Sequence, residues 1–169
     1  MVLFLLIPAI LRSQQQDLHI SIPMKNGIVF YEKTYELPSG TSNEKASGLA
    51  SAWIKKTFPD NSSTILTGSG TRTVIGTGIF KVPVSESGNY FWVKMKVVIA
   101  FRESGYTFQL YNYYEKPIEK GISNEYSKIE YRWWDYRQGK PWSPEDKPLF
   151  GGIHHQSLQF MQSLEAAIQ

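Results

Sequence analysis

Asn89 to Arg102 reads NYFWVKMKVVIAFR, and the alternation within it decides the fold. Phe91, Val93, Met95, Val97, Ile99 and Phe101 fall on one side of an extended chain. Tyr90, Trp92, Lys94, Lys96 and Val98 fall on the other. The first set is a core face. The second carries two lysines that would need partners if buried, so it describes a sheet face that is not fully covered. Downstream, Ser104-Gly105 marks a hairpin turn into a second strand. Its Tyr106, Phe108 and Leu110 face the core, and Thr107, Gln109, Tyr111 and Tyr113 share the open face. Upstream, strand-like segments begin at Thr64. Gly68 and Gly70 suit a hairpin turn, and Gly76 and Gly78 share one strand face, where a missing side chain lets a helix approach or the sheet bend.

Farther out lie two helices and one more strand. Gly27 to Leu37 follows an Asn26-Gly27 turn signal, with Val29, Tyr31, Tyr35 and Leu37 on one face, Ile28 and Phe30 on the other, and Lys33 interrupting. Thr41 to Phe58 reads as a helix opened by a Thr41/Glu44 capping box. Ala46, Leu49, Ala50, Trp53, Ile54 and Phe58 form its apolar stripe, and Pro59-Asp60-Asn61 ends it. Ile153 to Ile168 reads as a second helix after a Gly151-Gly152 turn. Its stripe is Ile153, Met161, Leu164 and Ile168, flanked by Leu158 and Phe160, and it is expected beside the first helix on the same sheet face. The order β-α-β-β-β-β-α specifies a two-layer α+β architecture, one antiparallel sheet with two helices on one face.

A chain of 169 residues is most simply one domain, here spanning residues 14–169. An apolar fraction of 41% and an aromatic fraction of 14% support an ordinary core. The net charge of +3, with no stretch of five or more like charges, does not mark a nucleic-acid binder. The absence of cysteine excludes disulfides, thiolate metal sites and catalytic thiols. Residues 1–11, MVLFLLIPAIL, are too short to span a bilayer, which needs about 20 residues, but have the length of a signal-peptide apolar region. Processing is expected near Ser13, so residues 1–13 are set apart from the fold. Neither a preceding basic residue nor an A-x-A pattern accompanies the run, and a buried first strand or short helix is the alternative. On the export reading, the mature protein is expected in the periplasm or cell envelope, without a transmembrane span.

Four segments carry a family resemblance: GIVFYEKTYELP from Gly27, the helix ending A-x-x-W-I-K-K-T-F at Phe58, VIGTGIFKV from Val74, and YTFQLYNY from Tyr106. Together they resemble the uncharacterised exported domain of Bacteroidetes-type bacteria described as having a TATA-binding-protein-like fold. The resemblance covers roughly Ile20 to Pro117 and the terminal helix. It implies a β-α-β4-α fold, a signal peptide and no assigned activity, and it supplies no functional residues.

The chain departs from that pattern at 118–152, a connection far longer than the roughly 12–15 residues beyond which loops are usually functional or disordered. Tyr126, Tyr131, Trp133, Trp134, Tyr136 and Trp142 make it the most aromatic part of the chain, with Arg132 and Arg137 interleaved. These rings are either a recognition surface or a lid folded back on the sheet. The candidate binding residues are Lys94, Lys96, Tyr111, Tyr113, Trp133 and Trp134, expected to line one face.

Catalytic signals are sparse. G-S-G and G-T-G at 68–70 and 76–78 lack the G-x-G-x-x-G spacing and the following helix, and no Walker pattern is present. No G-x-S-x-G elbow occurs. His154 and His155 diverge by about 100° on a helix and do not easily share a metal. Asp135, Glu145 and Asp146 could be set as acid and base of a glycosidase, but carboxylates in a polar loop are usually just solvated. No catalytic residue, metal site or cofactor is therefore expected. Three readings compete: a noncatalytic binding domain for an envelope protein, a peptide or a glycan; a small envelope hydrolase, which would need two loop carboxylates converging in a pocket; and nucleic-acid binding, which rests on fold analogy alone and is not expected.

Overall fold

Among the described residues, seven antiparallel strands form one open sheet in the order β1-β2-β6-β5-β4-β3, with β7 paired to β6, and three helices accompany it. The structure is a computed structural model that describes residues 20–59, 63–68, 71–118 and 125–169. The apolar run at 1–13 and the Gly70 turn position lie outside the described residues.

β1 (Met24–Lys25) and β2 (Ile28–Glu36) are joined by Asn26 and Gly27, both at positive φ, 52° and 78°. This pairing of residues is the two-residue turn whose twist suits a hairpin. Val29, Tyr31 and Tyr35 point to the core, as the alternation requires. α1 (Asn43–Thr57) follows, and its expected capping box is corrected by one residue. Ser42 is the N-cap, its Oγ accepting from the Lys45 backbone N–H, while Glu44 reaches Arg72 at 3.7 Å. Serine ranks above threonine as an N-cap, which suits the choice of Ser42 over Thr41.

β3 (Ser63–Gly68), β4 (Thr71–Pro83), β5 (Tyr90–Arg102) and β6 (Gly105–Pro117) form a meander. Every inward residue expected of β5, from Phe91 to Phe101, is buried. Gly78 sits where a side chain would collide: an added Cβ would lie 3.0 Å from the Phe58 ring and 2.9 Å from the Met95 methyl. The sheet is thereby open to close approach of the C-terminal end of α1.

The described part of the 118–152 connection, residues 125–152, folds back on the core as the lid alternative expects of Trp133, but as regular structure and on the helix side of the sheet. β7 (Ser127–Lys128) adds beside β6, α2 (Ile129–Arg137) follows, and α3 (Asp146–Ile168) begins seven residues before the expected start. Gly151 and Gly152 therefore lie inside the helix rather than in a turn. A Cβ on Gly152 would run into Val82 Cγ1, so the glycine lets α3 lie down on β4. α3 packs against α1 through Phe58–Phe160 ring contact at 5.0 Å and a hydrogen bond from Trp53 Nε1 to Ser163 Oγ at 3.0 Å. α2 joins the same helical layer: Ile129 and Trp133 are buried, and the Glu130 carboxylate accepts the Val29 N–H at 3.0 Å. All three of these helices cover one side, and no helix among the described residues covers the other.

Candidate functional site

The open face is organised by one irregularity in β6. Lys96 pairs with Tyr111 and Lys94 with Tyr114, so two residues, Asn112 and Tyr113, oppose the single Met95. This is a β-bulge. Asn112 occupies φ 55°, a left-handed conformation that asparagine tolerates better than most residues. Unbroken alternation past Leu110 would send Asn112, Tyr114 and Lys116 into the core. Burying a lysine and an amide without partners costs several kcal/mol, on the order of 2 or more each. The extra residue returns all three to the solvent side.

Tyr113 is accordingly corrected. It does not share the open face with Tyr111 but is fully buried, its hydroxyl 2.8 Å from Ser157 Oγ. Burial pushes its phenol well above the ordinary value. Glu115 is turned inward by the same bulge and is met by Arg132, whose Nε donates to Glu115 Oε1 at 3.3 Å and whose Nη1 donates to Asp146 Oδ1 at 2.6 Å. Asp146 also accepts the Trp142 and Ser143 backbone N–H groups at 2.6 and 3.3 Å. Desolvation pushes the Glu115 carboxyl above the usual range, against the pull of Arg132, and its Oε2 has no hydrogen-bond partner among the described residues.

Across the open face the register builds rows. Lys81, Trp92 and Lys116 stand side by side, then Ile79, Lys94 and Tyr114, then Thr77, Lys96, Tyr111 and Phe30. The next rows are neutral in β4 to β6: Ile75, Val98 and Gln109, then Thr73, Ala100 and Thr107. Cations and rings therefore concentrate on the half of the face beside the bulge. Lys94 Nζ lies 4.4 Å from the Tyr126 ring centroid and 5.3 Å from that of Tyr114; Lys116 lies 5.4 Å from Tyr126. Lys96 lies 5.6 Å from Tyr111, and Lys81 lies 4.5 and 4.9 Å from Tyr90 and Trp92. None of these four lysines is ion-paired with a carboxylate among the described residues. A hollow of about 400 Å³ opens at the bulge, with Thr64, Thr77, Lys94, Lys96, Asn112 and Tyr114 among its lining residues.

Of the six sequence-derived candidates, Lys94, Lys96 and Tyr111 come together here. Trp133 does not: it is 5% exposed and packs edge-on against Phe150 at 5.0 Å in the helical layer. Trp134 is 55% exposed on α2, with the Arg137 guanidinium 4.3 Å from its ring centre. The tether from β6 does not carry α2 to the open face, because Ile129, Arg132 and Trp133 bury on the opposite side. Sequence reasoning missed Tyr114, Lys116 and Asn112, and singled out Tyr126 only as one of the connection's aromatic rings. The signal was present: alternation through Tyr111 would bury Asn112 and Lys116, and asparagine in a strand marks a possible bulge.

The loop carboxylates do not converge. Asp135 accepts from Trp142 Nε1 at 2.7 Å, Glu145 accepts from the Asn89 side-chain amide at 3.0 Å, and Asp146 is tied to Arg132. His154 lies 3.1 Å from the Tyr31 hydroxyl, while His155 is exposed. Among the described residues, no three potential metal ligands gather.

These features define a fold, α+β and TATA-binding-protein-like, with the helices of the described residues on one side of a single antiparallel sheet. Neither a protein-family model nor a curated protein matches the chain. Solved structures do resemble it. A DUF4468 family protein from Bacteroides ovatus superposes with a TM-score of 0.63 at 16% identity, covering 87% of this chain and 90% of that one. A TBP-like protein from Parabacteroides distasonis gives a TM-score of 0.61 at 16% identity, over 85% of this chain and 97% of that one. The likeness establishes the fold and leaves activity to be argued from the face itself.

Proposed function

We propose that this chain is a noncatalytic binding domain of an exported cell-envelope protein, and that its partner, whether protein, peptide or glycan, is held on the open face of the sheet. The observation that carries this reading is the set of Lys81, Lys94, Lys96 and Lys116, placed beside aromatic rings and without carboxylate partners among the described residues. Ammonium groups free of internal ion pairs keep their charge available to a ligand. The carboxylates that would serve a hydrolase are engaged separately in structural contacts. No helix among the described residues is long and apolar enough to cross a membrane. Export is supported by the apolar run at 1–11 and its polar continuation.

Tagged mature protein, immobilised and exposed to native envelope extract, tests the reading when Lys94→Gln/Lys96→Gln is run beside Lys55→Gln/Lys56→Gln, an equal charge change on exposed positions of α1. Material should be retained by the wild type and the α1 variant and lost from the open-face variant. Equal retention by all three would remove the face from consideration. Mass spectrometry of the protein recovered from the envelope should show an N-terminus near Ser13; intact Met1 on the mature protein would refute cleavage.

A further inference from the structure

Resting on the open-face reading above, we infer that the hollow at the β5–β6 bulge takes a saccharide chain carrying acid groups. Lys94 and Lys96 meet the acid, and Thr64, Thr77 and Asn112 meet the sugar hydroxyls. Charge comes first. The two lysines stand on one strand face, on neighbouring rows, and neither is neutralised by a carboxylate among the described residues. On the β2 side, by contrast, Lys25 is answered by Glu32 at 3.4 Å. The four lysines without an ion pair among the described residues thus cluster on the half of the face that holds the hollow, with Arg102 alone at the far end, and such a cluster calls for an anionic ligand.

The kind of anion follows from what the face can satisfy. An extended peptide needs main-chain partners and takes them at a sheet edge. Apart from Asn112 and Tyr113 at the bulge, which pair in no ladder, the backbone of β4, β5 and β6 is committed to its ladders, so the face offers mainly side chains and no continuous edge for a strand. A single-stranded nucleic acid needs free ring faces on which to stack its bases. On this face Tyr90, Trp92, Tyr111, Tyr114 and Tyr126 each already carry an ammonium within 5.6 Å. A ligand that leaves those ammonium groups where they are, pairs with them, and spends its remaining polarity on hydroxyls and an amide fits better. Acid-bearing sugars have that composition. The volume of about 400 Å³ falls within the roughly 300–1,000 Å³ typical of small-ligand sites.

Fluorescence anisotropy with end-labelled oligosaccharides tests the inference directly. An oligogalacturonate supplies carboxylates and a sulfated oligosaccharide supplies sulfates, so the two probes distinguish the sources of the acid. A neutral gluco-oligosaccharide, a poly-glutamate peptide and an oligothymidylate of similar length are the comparators. One or both acidic oligosaccharides should bind, and the Lys94→Gln/Lys96→Gln variant should bind about tenfold more weakly, with the thermal midpoint unchanged. The Lys55→Gln/Lys56→Gln variant should stay within about twofold of wild type. Lys94- and Lys96-dependent binding of poly-glutamate or oligothymidylate, with neither acidic oligosaccharide bound, would overturn the saccharide class and leave the open-face reading standing. Acidic oligosaccharides bound equally by wild type and the open-face variant would overturn the site and that reading together. Failure of both acidic probes to bind overturns the inference outright.

Discussion

Replacing Trp133 by alanine should unfold this protein at a markedly lower temperature, although a Trp-rich stretch in a long connection looks like a surface. The ring is 5% exposed, lies 5.0 Å from Phe150 and 5.9 Å from Tyr136, and is the main apolar anchor of α2 after Ile129. Truncating a buried tryptophan costs about 3–5 kcal/mol. For a protein of this length each kcal/mol moves the midpoint by roughly 2–4 °C, so the fall should be roughly 6–20 °C. Trp134, the next residue, is 55% exposed, and Trp134→Ala should stay within about 0.5 kcal/mol of wild type. Trp133→Phe adds a second arm. The buried Nε1 has no hydrogen-bond partner among the described residues, so removing that N–H offsets part of the lost area, and the cost should stay below about 1.5 kcal/mol. Thermal melts followed by circular dichroism would rank the three. Equal midpoints for Trp133→Ala and Trp134→Ala would mean that α2 is not docked on Phe150, and that the connection could after all present both rings.

Trp53→Ala should cost a similar 3–5 kcal/mol, roughly, because the ring contacts Phe58 and Phe108 edge-on at 5.9 and 5.6 Å; Lys56→Ala, on the exposed side of α1, should barely shift the midpoint, and equal effects would refute the helix phase. Asn112→Gly should be nearly neutral, whereas Asn112→Val, forced to φ 55°, should lose about 1–2 kcal/mol in chemical denaturation; two equal midpoints would argue against a left-handed bulge residue. Glu115 gives a pH test. Its carboxyl is pushed up by burial, and a group whose folded pKa is raised favours the native state below its unfolded value of about 4.3 and loses that contribution as pH rises through the folded value. Urea midpoints should therefore show Glu115→Gln gaining on wild type between about pH 4 and about pH 7; a variant that falls further behind at the higher pH would show that Arg132, not desolvation, governs the group.

The alternation of Phe91 to Phe101, the stripe of Ala46 to Phe58 and the Asn26-Gly27 turn were legible in the sequence because each is local. Period 2, period 3.6 and a pair of residues suited to positive φ are set by neighbours along the chain. They sufficed for the α+β class, for the side of the sheet that carries the helices, and for Lys94, Lys96 and Tyr111 as solvent-side residues. The tertiary structure decided where that locality fails. The bulge at Asn112 exists because β6 must satisfy β5 and the core at once, and a single extra residue reverses the facing of everything beyond it. It sent Tyr113 inward, brought Tyr114 and Lys116 out, and turned Glu115 toward an arginine seventeen residues away in sequence. The early start of α3 and the burial of Trp133 likewise depend on partners distant in the chain: Asp146 on Arg132, Trp133 on Phe150. Local pattern determines which residues can share a face; only packing between elements determines which face a segment shows once its register has been shifted.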